Sequence, residues 1–242
     1  MYRTLLLLAV VLVASAPALA QGRDVPGDDR AGTASAPYLL EPTTARTTTH
    51  ATGLTAGVAS VSGLEALQSN PAALMANNGT EAMFSYIDYS ADIGVNTFGV
   101  AQSFGASNIG LFVTSWDLGD IPLTTAAAPD PTSITYDASF FVVGASYARQ
   151  FTDRIAGGVT VKAVGESIDD INGSAVAFDA GVTYNVGESG LQFGVSLRNF
   201  GTKMSDSGNG LGSANPIGGS GGTGSFPIQI ETDSYELPSL LN

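Results

Sequence analysis

Between Phe140 and Phe200 the chain alternates apolar with small or polar residues through three consecutive segments, and this alternation constrains the fold more than any other feature. Leu191, Phe193, Val195 and Leu197 interleave with Gln192, Gly194, Ser196 and Arg198. Just before them, Val176, Phe178, Ala180, Val182, Tyr184 and Val186 interleave with Ala175, Ala177, Asp179, Gly181, Thr183 and Asn185. A β-strand sends successive side chains to opposite faces, so each segment carries one apolar face and one small or polar face. The segments exceed the usual 5–6 residues of a soluble strand, and crossing a bilayer at a tilt takes about 9–11. The expected fold is all-β: a transmembrane antiparallel outer-membrane β-barrel with apolar residues toward lipid and polar residues inward.

The period of two begins near Glu81. It places strands at Ala82–Tyr89, Val95–Phe104, Asn108–Asp117, Ala138–Gln150, Ile155–Ile168, Ala175–Val186 and Leu191–Phe200. Gly105–Ser107, Thr152–Arg154 and Gly187–Gly190 read as tight turns, whereas Leu118–Asp137, Asp169–Ser174 and Gly201–Glu236 read as longer loops. Outer-membrane barrels put short turns on the periplasmic side and long loops outside. Gly201–Phe226 is low-complexity and reads as a flexible external loop. Glu236–Asn242 looks like the start of another strand, so the expectation is a barrel that is incomplete at its C-terminal side. The residues expected on the lipid face include Phe141, Val143, Val159, Val161, Phe178, Val182, Phe193 and Val195.

The N-terminal part differs. Arg3, the apolar run Leu5–Val13 and Ala18-Leu19-Ala20 form a Sec-type signal peptide over residues 1–20, with cleavage after Ala20. Residues 21–80 form an N-terminal segment. Gln21–Pro37 reads as mobile, Thr52–Ser62 as a weak strand and Leu64–Ala76 as a short helix interrupted at Asn70-Pro71, with Asn70 as cap. Residues 81–242 carry the barrel strands, and no later segment is a transmembrane helix.

The net charge of −13 argues against a nucleic-acid partner, and the absence of cysteine argues against disulfides and a lipidated cysteine. Low charge (13%) with 44% apolar residues fits a barrel facing lipid and also a β-rich secreted protein. No catalytic constellation, cofactor motif or metal-ligand set is expected, and the chain does not read as an enzyme. His50 is a lone histidine, and Asp206-Ser207-Gly208-Asn209-Gly210 lacks the spacing of a calcium loop. Asn78-Gly79-Thr80 and Asn172-Gly173-Ser174 read as turn chemistry. Lys162, Glu166, Asp179 and Arg198 fall on the non-lipid face and are the lumen-facing candidates, as cross-strand pairs or a polar lining. Ile121, Leu123 and Tyr136 in one loop, and Phe226 and Ile228 in the other, are candidate partner-binding anchors.

Several stretches resemble one family. Ser69-Asn70-Pro71-Ala72-Ala73-Leu74 resembles the Asn-Pro-Ala-(Gly/Ala)-Leu motif of FadL-like barrels. Trp116–Pro122 with Thr124-Thr125, Ser146–Arg154, Gly158–Lys162, Leu197–Met204 and Glu236–Ser239 resemble the PorV/PorQ branch of that superfamily. The chain departs from the family where Thr47–His50 and Val61–Glu65 replace a Gly-rich run and an acidic pair. The resemblance implies an outer-membrane protein with an N-terminal hatch, accessory to type IX secretion. Its implied partners are outer-membrane lipid, secreted cargo proteins and the secretion machinery. Other FadL-like members pass hydrophobic compounds, and a structural surface β-protein is the third reading.

Overall fold

A computed structural model describes residues 34–242 save 51–53, 58–60, 90–92, 125–133, 188–189, 209–213, 217–224, 228–229 and 233. All described residues belong to the unit Ala34–Asn242. The expected signal peptide and His50's side chain therefore lie outside the described residues.

The strands are β1 (Thr80–Asp88), β2 (Gly94–Ser103), β3 (Ser107–Pro122), β4 (Thr135–Thr152), β5 (Ile155–Ile168), β6 (Ile171–Val186) and β7 (Leu191–Gly201). Short strands follow: β8 (Asp206–Gly208), β9 (Ala214–Pro216), β10 (Ser225–Pro227), β11 (Ile230–Glu231) and β12 (Leu240–Leu241). β1 to β7 pair with their neighbours in chain order, every pair antiparallel, and β12 pairs with β7. The sheet is open: among the described residues, β1 pairs only with β2. No described helix is long and apolar enough to cross a membrane, which says nothing of strands.

All seven main strands lie where the alternation put them, but several are longer, and this changes the loops. The expected loop Leu118–Asp137 is shortened at both ends: Ile121 pairs with Tyr136 and Pro122 with Thr135, leaving 123–134 as the connection. The ladder continues across a register shift between Asp117 and Asp120, where Gly119 takes a positive φ of 69° and the Asp117 carboxylate accepts its N–H. Such a bulge lets the strand continue past Asp117, where the alternation ended it. The expected loop Asp169–Ser174 is a two-residue turn. Ile168 pairs with Ile171, and Asp169 reaches the left-handed region (φ 52°), which aspartate tolerates better than most residues. Asn172-Gly173-Ser174 is therefore strand, not turn. The two longest connections, 123–134 and 202–239, still lie at one end of the sheet.

In its described residues the last connection also carries more strand than its composition implies. Gly208 lies opposite Ile230, Ser207 opposite Glu231, Met204 opposite Tyr235, Arg198 opposite Leu240 and Leu197 opposite Leu241. These pairs share one register to within a residue, so residues 191–208 and 230–242 are the arms of a single long hairpin. β9 and β10 pair within its far end. The strand entry expected at Glu236–Asn242 is thus an eighth arm. It is interrupted around Pro238, which has no N–H to offer a ladder.

The described residues of 34–79 lie against one face of this sheet, here called the inner face. Thr52–Ser62 is not a strand in its described part: Leu54-Thr55 form a turn of 3-10 helix, and Gly57 has a φ of 89°. The expected helix Leu64–Ala76 is a run of turns followed by a 3-10 helix over Pro71–Ala76. Asn70 does cap it, its Oδ1 accepting the Ala72 N–H at 2.9 Å, with Pro71 in the first turn.

Candidate functional site

The opposite, outer face settles the phase of the strands. Phe141, Val143, Val159, Val161, Phe178, Val182, Phe193 and Val195 are each 46–56% exposed, as the alternation places them. Phe84, Phe98, Val100, Ile109, Leu111 and Val113 extend the same surface across β1–β3. Exposed aromatic residues stand toward both margins and, with Phe178 and Phe200, between them. Phe104, Tyr147, Phe151, Tyr184 and Phe193 lie toward the short-turn end, and Tyr86, Phe98 and Phe141 toward the other. On β4, where the named residues are furthest apart, Phe141 and Phe151 are ten residues from each other. At 3.3 Å per residue and a tilt near 40° this is a band roughly 25 Å tall, the height of an outer-membrane apolar belt. A contiguous exposed patch of this size is not a feature of a soluble monomer surface.

The inner face is buried by the described residues of 34–79 and is mixed: Val95, Phe112, Trp116, Val142 and Val164 form an apolar cluster there beside a set of polar side chains. Thr97, Asn108, Thr114, Ser146, Thr160, Lys162, Asp179, Ser196 and Asn199 are all buried. Register explains how the covering segment docks. Asn108, Ala148, Gly158, Gly181 and Ser196 are successive cross-strand partners from β3 to β7, forming one row across the sheet. Ser69–Asn77 lies along this row. The Ser196 hydroxyl donates to the Ser69 carbonyl at 2.7 Å at one end. At the other, the Asn108 amide donates to the Leu74 and Asn77 carbonyls at 2.7 and 2.6 Å. Between them the floor is almost without side chains. A Cβ on Gly158 would sit 2.5 Å from the Pro71 carbonyl carbon, and one on Gly181 would run into the Asn70 carboxamide. The Asn70 amide donates to the carbonyls of Thr55 (2.7 Å) and Val182 (3.3 Å), so the motif's asparagine ties the segment both to itself and to the sheet.

Of the four lumen-facing candidates, the structure brings Lys162 and Asp179 together at 2.8 Å, with side chains 7% and 2% exposed. Asn199 completes this node, its Oδ1 accepting from the Lys162 ammonium and its N–H donating to Asp179 at 2.7 Å. It does so from a left-handed conformation (φ 55°) at a bulge where Phe178 pairs with Phe200 but Ala180 pairs with Leu197. Arg198, at the same bulge, donates to the Leu39 carbonyl at 3.3 Å. Glu166 is not part of the node. It sits two periods of alternation further on, four residues along β5, beside Tyr38. Tyr38 stacks on Phe140 at 4.6 Å, lies 4.8 Å from Trp116 and donates to the Gly165 carbonyl at 3.5 Å. Burial, with the Glu166 carboxylate adding to it, raises the Tyr38 hydroxyl far above its ordinary pKa, so it stays protonated.

Two cavities flank the covering segment. One, about 230 Å³, is lined by Leu40, Leu54, Gln68, Arg198 and Leu240 among others. The other, about 320 Å³, lies toward the short-turn end against Ala72, Ala156, Thr183 and Gln192. Of the partner-binding anchors, Ile121 and Tyr136 are paired in the β3–β4 ladder and are not loop residues. Leu123 is 41% exposed beyond it. Phe226 is in β10, and Ile228 lies outside the described residues.

The alternation located the inward phase but not Asn70, Asn108, Ser196, Asn199 or Tyr38 as contacts. The available signal was the inward-phase glycines Gly110, Gly158, Gly181 and Gly194. A glycine at a strand's interior position marks a close approach of other backbone. No protein-family model matches this chain, and no curated protein matches it.

Proposed function

We propose that this sheet is part of the wall of an outer-membrane β-barrel of the PorV/PorQ type, accessory to type IX secretion and to surface delivery of cargo. The observation that carries the membrane part is the outer face: a continuous exposed apolar band, backed by a face of mixed polarity that is buried by the chain's own N-terminal segment. Backbone groups at an open edge cannot be left unpaired in hydrocarbon. The proposal therefore includes further strands between β1 and the arm 230–242. An eight-stranded barrel has room inside for side chains only, so these arms cannot close on themselves around residues 34–79.

Two features favour the adaptor role. The inner face is occupied: the buried Lys162–Asp179 charges neutralise each other, and Ser69–Asn77 lies across five strands with hydrogen bonds to β3, β6 and β7. The two longest connections lie together at one end, and Leu123 and Ile134 stand exposed beside the first. The test replaces residues 209–229 by a short Gly/Ser linker in the full-length protein and reads barrel assembly and cargo delivery separately. Lost delivery with normal assembly is the expected result. Normal delivery would remove the loop from the account. The second reading, a FadL-like channel for hydrophobic compounds, is favoured by the 230 Å³ cavity with its Leu40, Leu54 and Leu240 lining. Loss of hydrophobic-substrate uptake alone in the same variant would select it.

A further inference from the structure

The covering segment runs the length of the sheet, and the direction in which it runs carries a consequence. Trp116, Phe140, Glu166 and Gly173 form a second cross-strand row. It lies eight residues from the Asn108–Ser196 row along each of β3 to β6 (108 to 116, 148 to 140, 158 to 166, 181 to 173), which is about 26 Å at 3.3 Å per residue. Tyr38 is fixed at this second row, nearer the long-loop end, by Trp116, Phe140 and Gly165. Ser35 is fixed beside it by the stem of the long hairpin: its N–H donates to the Glu236 carbonyl at 3.0 Å and its hydroxyl to the Met204 sulfur at 3.0 Å. Thr43 comes next, its carbonyl accepting from Thr97 at 3.4 Å. Asn70 to Leu74 then lie at the first row, and the Gly79 carbonyl accepts from Ser103 at 2.8 Å beside the β2–β3 turn.

We propose that residues 35–79 are a strap threaded through the barrel from its outer mouth to its periplasmic mouth, so that the chain enters the lumen at the cell-surface face. This rests on the barrel reading above. In a barrel whose long loops face outward, the latch made by Ser35 and Tyr38 is then at the external face and is held by the stem of the hairpin that carries residues 209–229. A hatch entering from the periplasm would place those residues at the opposite end, some 26 Å away along the strands.

The chain has no cysteine, so single cysteines report position without background. In the full-length protein, Ala34→Cys, Thr124→Cys, Asn78→Cys and Asp153→Cys are made at exposed positions. Each is treated on intact cells with a membrane-impermeant maleimide, and again after lysis. The strap's entry at the outer mouth predicts that Ala34→Cys and Thr124→Cys label fully on intact cells, while Asn78→Cys and Asp153→Cys label only after lysis. Labelling of Thr124→Cys but not Ala34→Cys on intact cells would overturn the threading and leave the barrel standing. Failure of Thr124→Cys to label on intact cells, or labelling of Asp153→Cys there, would overturn the barrel orientation and the threading with it.

Discussion

Asp179→Ala is expected to destabilise the folded protein by about 3–5 kcal/mol, because it strands a buried ammonium. The Lys162 side chain is 7% exposed, and its ion partner is Asp179 at 2.8 Å, with the Asn199 carboxamide as its remaining acceptor. The same carboxylate accepts the Asn199 N–H and so supports the left-handed residue on which the β6–β7 bulge turns. Replacing both charges, in Lys162→Met with Asp179→Leu, removes the stranded charge, and well-packed apolar substitutes for a buried pair are often neutral. The double variant should therefore be more stable than Asp179→Ala alone, a reversal that non-specific damage would not produce. Denaturant midpoints of protein refolded into vesicles measure this. A stability equal to wild type in Asp179→Ala would mean that water reaches the node, as it does in an open channel, and would weigh against the adaptor reading.

The second large effect belongs to the outer face. Val161 is 47% exposed and lies between the two margins, near the middle of the band. Arginine at the midplane of a barrel's lipid face costs about 2–4 kcal/mol, and far less near the interfaces or toward the lumen. Val161→Arg should lower membrane assembly sharply. Thr183→Arg, which points into the 320 Å³ cavity, should be much milder. In a soluble sheet the order would reverse, since an exposed arginine is tolerated and an inward one must displace packed chain. A register one residue off would also reverse the order, and equal effects would mean that the two faces do not differ in environment.

The outer face was legible in the sequence because strand geometry alone sets it: Phe141, Val143, Val159 and Val161 need nothing but period two to share a side. The loop boundaries were not, because turn-like residues were absorbed by tertiary pairing. Asn172-Gly173-Ser174 carries turn chemistry, but Ser167 and Glu166 of β5 hold Asn172 and Gly173 in register. Gly119 became a bulge, and the glycine-rich stretch after Gly201 hides two hairpin stems. For the inner face, the phase of Lys162 and Asp179 was visible, but their contact depends on adjacent strands being in register by one particular turn. Asn199 was hidden because a bulge changes its phase relative to Leu197. The Asn-Pro motif was recognisable by resemblance, but its docking floor of Gly158 and Gly181 comes from strands far away in sequence.

The central claim is that alternate residues of these strands face hydrocarbon. It is tested most directly by spin labels on single cysteines at Val159, Thr160, Val161, Ala163 and Val164 of β5, in vesicles. Collision rates with oxygen and with a water-soluble nickel complex are then compared. The account predicts high oxygen and low nickel accessibility at Val159, Val161 and Ala163, and low accessibility to both at Thr160 and Val164, which are buried under the strap. Nickel accessibility at Val159, Val161 and Ala163 as high as that of oxygen would show that this face meets water, and would contradict the account.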